Sequence, residues 1–423
     1  MPVLTFAPGV ELVPEGLRHA NAVTRLSDVM AVAALAAGIP AADLAEGAGG
    51  SADRRQLLDR LHRRGLLSWR VEGIAEATPL APGSGLPDVS RRDSAGGPVP
   101  LSRFALLRRD ETGWLLESGR SAWQVRLTDR GVAGLGDLAL LGKDAEPFLA
   151  LLATAEMLDD RDGEPSALGW EPHDRYFASR SRGGLSPAAS YRLTALRPPP
   201  PAAREDDGEG KRIPLPVPTG PLPDEPTLWA ASEARRSVRE FAEAPVPLEA
   251  LGALLWRTLR VVRLLPRDPS GPHSYEAMLR PVSSGGAMHS TDLWLLCTSV
   301  ANVPRGVWRY DPFAHALVGV PLADGGGRLD RFLSASVTGT RPPVLGLLTV
   351  RHARTAWKYA GIAYSLELKD VGVILHALNL AAGAVGLGMC AWGSGPTAEI
   401  ARLLGIDPDL DSPVGEFVTG VPR

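Results

Sequence analysis

RPVSSGGAMHSTDLWLLCTSV, residues 280–300, contains a change of character that decides the fold. Its first part is small and glycine-rich, while DLWLLCTSV, residues 292–300, is a nearly continuous apolar run of strand length. A run without a polar face reads as a strand buried on both sides. PVLGLLTV, residues 343–350, has the same character, and VWRYDP with HALVGV (307–312 and 315–320) reads as a hairpin. Helices surround these strands. Leu248–Leu265 carries apolar residues at 248, 251, 254, 255 and 259, and Leu368–Leu387 is apolar nearly all round. The second is therefore expected to be a buried central helix, closed by Gly386 and Gly388. The C-terminal part is predicted to be α+β, a central mixed or antiparallel sheet wrapped by helices.

Upstream lies a stretch that cannot bury a core. From Arg197 to Pro226 the chain runs through PPPP, AAREDDGEGKR and PLPVPTGPLPDEP, a stiff proline-rich and charged spacer. Before it, Asp28–Ala37 is helical by composition, and Asp53–Arg64 places Leu57, Leu58 and Leu61 on one face. LLSWRVE (66–72) then alternates towards a strand. FALLRRDE and GWLLES flank a turn at Thr112-Gly113, QVRLT extends, and a helix over Ala145–Asp160 buries Phe148, Leu151, Leu152 and Ala155. The pattern predicts a winged-helix-like module over 1–100, a second small α+β, winged-helix-like module over 101–196, a linker over 197–226 and the larger α+β domain over 227–423.

Bulk properties exclude several classes. With 423 residues the chain exceeds one ordinary core. A formal net charge of -3 leaves no basic footprint for nucleic acid or membrane. Two cysteines, Cys297 and Cys390, support neither a disulfide framework nor a Cys-rich zinc site, and no metal is expected. No stretch of about 18 uncharged apolar residues occurs, and MPVLTFAPGVELVPEG is not a signal peptide, so a cytoplasmic protein is expected.

The candidate chemistry lies in four short segments. ARRSVREF, 234–241, offers Arg235, Arg236, Ser237 and Arg239, guanidinium forks and a hydroxyl suited to a phosphate. Ser283, Ser284, Gly285 and Gly286 allow a flat ligand close approach to backbone N–H groups, with Met288 and His289 following. MCAWGSG, 389–395, supplies a second small-residue loop at Trp392, Gly393 and Ser394, and FVTGVPR ends in Arg423, a further phosphate donor. WKYAGIAY, 357–364, contains the adjacent Lys358 and Tyr359. Outside these segments His376 reads as a satisfied core histidine, Trp308 as packing and Cys297 as inert.

In order and spacing these segments resemble the nitroreductase superfamily over roughly Leu228–Arg423, and most closely its SagB-type azoline dehydrogenases. The carriers are Gly-Gly-Ala-Met-His at 285–289, GVWRYDPFAHALVGV at 306–320, the Lys358-Tyr359 pair and, upstream, EPHDRYFASRSRGG at 171–184. The resemblance implies FMN held by Arg235, Ser237 and Arg239 with Arg236 nearby. It implies Ser283–Gly286 against the cofactor from the partner of a homodimer, 392–394 near the flavin N5, and catalysis by Lys358 and Tyr359. One stretch departs: many members have Leu-Glu-Ala-Gly-His where this chain has LELKDVGV, 366–373.

The activity so implied is oxidation of thiazoline or oxazoline rings in a ribosomally made, thiopeptide-like precursor, with molecular oxygen as final acceptor and a cyclodehydratase as partner. Lys358 would remove the ring Cα proton, its pKa lowered by desolvation beside the flavin. The N-terminal modules would grip a leader peptide at a sheet edge. The alternatives are an NAD(P)H-dependent nitro or quinone reductase and a non-catalytic peptide-binding scaffold.

Overall fold

The computed structural model describes residues 2–13, 16–19, 22–25, 34–36, 38–40, 52–80, 96–182, 198–204, 210–220, 225–271, 274–322, 327, 329–330, 332, 342–359, 361–393 and 395–423. They fall into two compact units, 1–188 and 189–423.

The first unit contains β1 (Val3–Phe6), β2 (Val10–Val13), β3 (Gly16–His19), β4 (Ala22–Arg25), β5 (Ile39–Pro40), β6 (Leu67–Val71), β7 (Ala75–Pro79), β8 (Ala105–Asp110), β9 (Gly113–Ser118) and β10 (Trp123–Leu127). Its helices are α1 (Ala52–Arg63), α2 (Asp129–Gly136), α3 (Ala145–Thr154) and α4 (Pro172–Arg180). Seven strands form one sheet in the order β5-β1-β6-β7-β10-β9-β8, beside a three-stranded sheet β2-β3-β4. The hairpin expected at Thr112-Gly113 is β8–β9, its turn held by Asp110, which accepts from Thr112 N at 2.9 Å and pairs with Arg126 at 2.7 Å.

The division expected at residue 100 is corrected: β7 pairs with β10, from Trp123↔Pro79 to Leu127↔Ala75, and Leu67, Trp69, Phe148 and Leu152 share one core. A strand in mid-sheet has both edges satisfied, so neither half folds as its own sheet. The helix expected to reach Asp160 ends at Thr154, because Glu156 turns left-handed (φ 57°) and Met157 N donates to the Leu152 carbonyl. Of the helix expected over 28–37, only 34–36 lie within the described residues, as a 3-10 turn.

The second unit contains β11 (Arg212–Pro214), α5 (Leu228–Ala234), α6 (Leu248–Thr258), β12 (Arg263–Leu265), β13 (Ala277–Leu279), β14 (Thr291–Cys297), β15 (Gly306–Asp311), β16 (Ala316–Val320), β17 (Val344–Arg351), α7 (His352–Lys358), α8 (Ala363–Ala384), β18 (Gly388–Trp392), α9 (Thr397–Leu404) and β19 (Asp411–Gly420). It is α+β: a seven-stranded antiparallel sheet, β11-β16-β15-β14-β17-β19-β18, with helices on both faces. Every residue of β14 is buried, as its unbroken apolar run requires. α6 and α8 cover one face through Leu254, Leu255, Ile374 and Leu378, and α9 covers the other through Ile400, Leu403 and Leu404.

Three expectations are corrected here. The helix read as Leu248–Leu265 stops at Thr258, and 263–265 pair instead with β13. The spacer over 197–226 is, where described, part of this unit: β11 joins the sheet edge, and the Pro200, Pro201 and Ala202 carbonyls accept from Arg354 and Arg351 at 2.6–3.0 Å. Prolines lack the N–H that a ladder needs, and their carbonyls, which remain acceptors, take donors from arginine forks instead. α8 is buried on one face only: Val371, Ile374, Leu378 and Ala382 are covered, while Tyr364, Leu368, Val373 and His376 are exposed.

Gly346 in β17 faces Phe417 in β19, and a Cβ there would lie 2.2 Å from the ring. Gly346→Ala is expected to cost about 1–3 kcal/mol by overpacking, read as a lower urea midpoint with an unchanged slope.

Candidate functional site

The glycine loop before β14 is built around one carboxylate. Ser284 Oγ donates to Asp370 Oδ2 at 2.6 Å, Gly285 N donates to Asp370 at 3.1 Å, and His289 N donates to Ser284 Oγ at 3.0 Å. Within this loop Gly286 (φ 62°), Ala287 (φ 53°) and His289 (φ 45°) are left-handed. Two such non-glycine residues so close together mark strain of the kind found at functional sites. Asp370 stands on α8 at the place where the resembled stretch carries His. Burial pushes its pKa up, and the bonds from Ser284 and Gly285 oppose that shift. The Ser284 hydroxyl is thus spent inside the loop; Ser283 is exposed, and Met288 and His289 are buried. Desolvation, with Arg280 and Arg354 nearby, pulls the His289 pKa down to about 3, so its ring is neutral.

Lys358 and Tyr359 end α7 beside this loop. A Cβ on Gly286 would lie 2.7 Å from Tyr359 Oη and 2.8 Å from Lys358 Nζ, so only glycine admits both. A third group meets them there. Lys358 Nζ donates to Tyr275 Oη at 2.6 Å, and Tyr275 Oη donates to the Gly286 carbonyl at 2.8 Å. Tyr275 is fixed edge-on against buried Trp357, centroids 5.8 Å apart. Desolvation pulls Lys358 down, but the hydrogen bonds and charge interactions with Tyr275 and Tyr359 outweigh it, and the net shift is upward.

The arginine-rich motif lies at the other end of α8. Thr227 caps α5, whose last turn gives way at Arg235 to extended backbone. Val238 N then donates to Met389 O, Ala242 N to Val421 O and Arg423 N to Glu240 O. Arg235, Arg236, Ser237, Arg239 and Arg423 are all exposed, and among the described residues none of these arginines has an ion-pair partner. Arg235 and Arg236 border a cavity of about 240 Å³ walled by Leu380, Gly383, Gly386 and Gly388. Half-buried Trp392 packs on the α9 side of the sheet and Gly393 is exposed beyond it, while Ser394 lies outside the described residues.

Within one chain, then, the expected residues form two groups. From Asp370 to Leu380–Gly383 is ten to thirteen residues of α8, roughly 15–20 Å at helical rise. The arginines stand at one end, and Ser284–Gly286 with Lys358 and Tyr359 at the other. Tyr275 and Asp370 were missed by sequence reasoning; Asp370 had a signal, since LELKDVGV was already out of pattern. His376 is exposed and not a core histidine, whereas Cys297 is buried with its pKa pushed up to about 12 by desolvation. Trp308 is packing, its Nε1 donating to Pro304 O. No helix of the described residues is long and apolar enough to cross a membrane, and among them no three His, Cys, Asp or Glu are grouped to hold a metal.

Comparison with known proteins bears on this unit. Residues 233–421 match the Nitroreductase family model. Nitroreductase-family proteins are oxidoreductases that bind FMN. A Methanocaldococcus jannaschii protein named "Putative nitroreductase MJ1384" is 26% identical over 186 residues, 44% of this chain and 88% of that one. Solved structures similar to the chain include a likewise named protein from Anabaena variabilis (17% identity, TM-score 0.43, covering 58% of this chain and 46% of that one). Another is the E. coli microcin synthetase McbBCD complex with truncated pro-MccB17 bound (19% identity, TM-score 0.37, 56% and 88%).

His352 opens α7, its Nδ1 3.1 Å from Glu367 Oε2, and this hydrogen bond raises its pKa above 6.5. A raised histidine stabilises fully below its unfolded value and loses that contribution as pH rises through the folded one. The stability gap between wild type and His352→Gln is therefore expected to shrink as pH rises above 6.5, measured by urea unfolding across pH 5.5–8.5.

Proposed function

We propose that this protein is an FMN-dependent dehydrogenase that oxidises thiazoline or oxazoline rings of a ribosomally made peptide to thiazoles or oxazoles. The observation that carries the reading is the meeting of Lys358 and Tyr359 with Gly286, which puts a proton-transferring pair against the loop expected to face the cofactor.

The residues fit FMN. A phosphate dianion needs guanidinium groups not already paired, and Arg235 and Arg236 offer them at a cavity mouth, with Arg239 and Arg423 on adjoining segments. Gly383 and Gly386, whose missing Cβ atoms would meet nothing within 4 Å, leave its wall low for a planar ring. One chain holds the two groups too far apart to share one end of a flavin, and the exposed face of α8 is rich in apolar residues, with Tyr364, Leu368 and Val373 each about 40% exposed. Two copies packed antiparallel on that face would bring the arginines of one to the glycine loop of the other, which supports a homodimer.

Bound FMN supplies a hydride acceptor at N5. Lys358 takes the ring Cα proton and Tyr359 orients it. The base must first be deprotonated, so a lysine held protonated by Tyr275 and Tyr359 makes the rate rise with pH. A leader peptide would add to an edge of the first unit's sheet, where β8 exposes Leu106 and Leu107. The winged-helix-like reading of that unit, a cyclodehydratase partner, oxygen as final acceptor and a cytoplasmic location belong to this proposal.

A second reading, an NAD(P)H-dependent nitro or quinone reductase, is favoured by the match of residues 233–421 to a family named for that reaction. Anaerobic absorbance separates the two: an azoline peptide bleaches the flavin on the first reading, and NADPH alone bleaches it on the second. Lys358→Ala should keep FMN and lose roughly 10²–10⁴ of azoline oxidation; full turnover would refute the assignment. The Arg235→Ala, Arg236→Ala double variant should weaken FMN binding roughly 10–100-fold, measured by flavin fluorescence titration, with unchanged affinity counting against the phosphate site.

A further inference from the structure

We infer that Tyr275 is a positioning residue for Lys358: its hydroxyl, oriented by the Gly286 carbonyl, holds the lysine amine so that the amine's lone pair is directed at substrate. This rests on the azoline dehydrogenase reading and deepens it, since there Tyr275 only helps to hold the lysine protonated and has no part in aiming its amine.

The number of protons available fixes the direction of both hydrogen bonds. A tyrosine hydroxyl has one proton to donate and lone pairs to accept. In Tyr275 that proton goes to the Gly286 carbonyl at 2.8 Å. The phenol therefore cannot donate to Lys358 and can only accept from it, which it does at 2.6 Å. When Lys358 is neutral it stays bound to Tyr275 through an N–H, and the contact does not consume its lone pair. The proton of the substrate's ring Cα–H bond then ends on that lone pair as a new Nζ–H bond. The electron pair left behind becomes the ring Cα=Cβ double bond as the neighbouring carbon gives up hydride to the flavin acceptor of the proposed function.

The geometry holding this arrangement is not incidental. Gly286 turns left-handed (φ 62°), which sets the direction of its carbonyl, and a Cβ there would come within 2.8 Å of Lys358 Nζ and 3.4 Å of Tyr275 Oη. Asp370 pins the loop one residue earlier, at Gly285. Trp357, on the same helix as Lys358, braces the Tyr275 ring, and Lys358 Nζ lies 4.7 Å from the centre of that ring. Sequence distance hides the trio: Tyr275 and Lys358 are 83 residues apart.

The charged and titratable groups facing the pair come from each element around it. Tyr359 follows Lys358 at the end of α7, and Arg354 on the same helix interacts through its charge with the Tyr275 phenol, while Glu276, next to Tyr275 in sequence, accepts from Arg354 through its carbonyl. Asp370 on α8 holds the loop from its far side. Of these, Tyr275 and Tyr359 raise the Lys358 pKa against desolvation. Removing the Tyr275 hydroxyl should let desolvation gain, so that Lys358 titrates at lower pH.

The test is Tyr275→Phe, which keeps the ring against Trp357 and deletes only the hydroxyl. Lys358 is titrated in the substrate-free holoprotein by competitive acetylation with acetic anhydride across pH, read by mass spectrometry at that residue. Its midpoint should move to lower pH, flavin content should not change, and azoline-peptide turnover at high pH should fall roughly tenfold. In a double-mutant cycle, adding Tyr275→Phe to Lys358→Met should cost nothing further.

An unmoved acetylation midpoint would overturn the proposal, as would an additive loss in the cycle. A Tyr275→Phe chain unfolded by circular dichroism would also overturn it, by showing the hydroxyl to be structural. Acetylation needs no substrate. A moved midpoint in a protein that never oxidises an azoline would therefore fail the function and leave the positioning intact.

Discussion

Gly285, Gly286, Ala287 and His289 form a loop whose backbone would not keep this shape by itself, and the carboxylate of Asp370 is the group that holds it. The left-handed conformations at Ala287 and His289 cost of order 1–3 kcal/mol each. Against them stand the hydrogen bonds from Ser284 Oγ and Gly285 N to Asp370, charge-assisted and worth about 1.5–3 kcal/mol apiece. The two sides are of one magnitude, so the loop is fixed at little net gain. Its return is position: the Gly286 carbonyl, the hydroxyl of Tyr275 and the amine of Lys358 are set in series from that one anchor on α8.

A second set of buried charges organises the segment before the sheet. Arg354 is fully buried and donates to three carbonyls, of Met288, Glu276 and Pro200. Desolvation pulls its pKa down to about 10, which leaves it a cation at neutral pH. Arg204 and Arg351 close on buried Asp292 at 2.9 and 3.4 Å. Removing one partner from such a group strands a charge in the interior, so these contacts bind the proline-rich stretch more firmly than its composition suggests. Arg354 therefore serves two purposes at once, since the Met288 carbonyl it holds lies within the glycine loop.

Legibility in the sequence tracked periodicity. The apolar runs at 292–300 and 343–350 are the central strands β14 and β17, and the paired signals around Thr112-Gly113 and at 307–320 are hairpins. Composition misled where a neighbour decides the outcome. Proline carbonyls at 200–201 found arginine donors from 351 and 354. The helix stopped at Thr258, and residues 263–265 pair as a strand with 277–279. The apolar pattern of α8 measures what the helix avoids, not what covers it in one chain, and so could not tell a buried face from an exposed one. The site was legible as a set of segments and not as a geometry. Tyr275 sits in no recognisable pattern, and nothing local says that its hydroxyl would accept from a lysine 83 residues away.

The separation of the two groups along α8 has a genetic consequence. On the proposed dimer, each complete site draws its arginines from one copy and its glycine loop and lysine from the other. A lesion at the arginine end and a lesion at the lysine end, carried on different copies, would both fall in the same one of the pair's two sites and leave the second intact. Two inactive alleles of this kind would complement one another when expressed together, whereas two lesions at the same end would not.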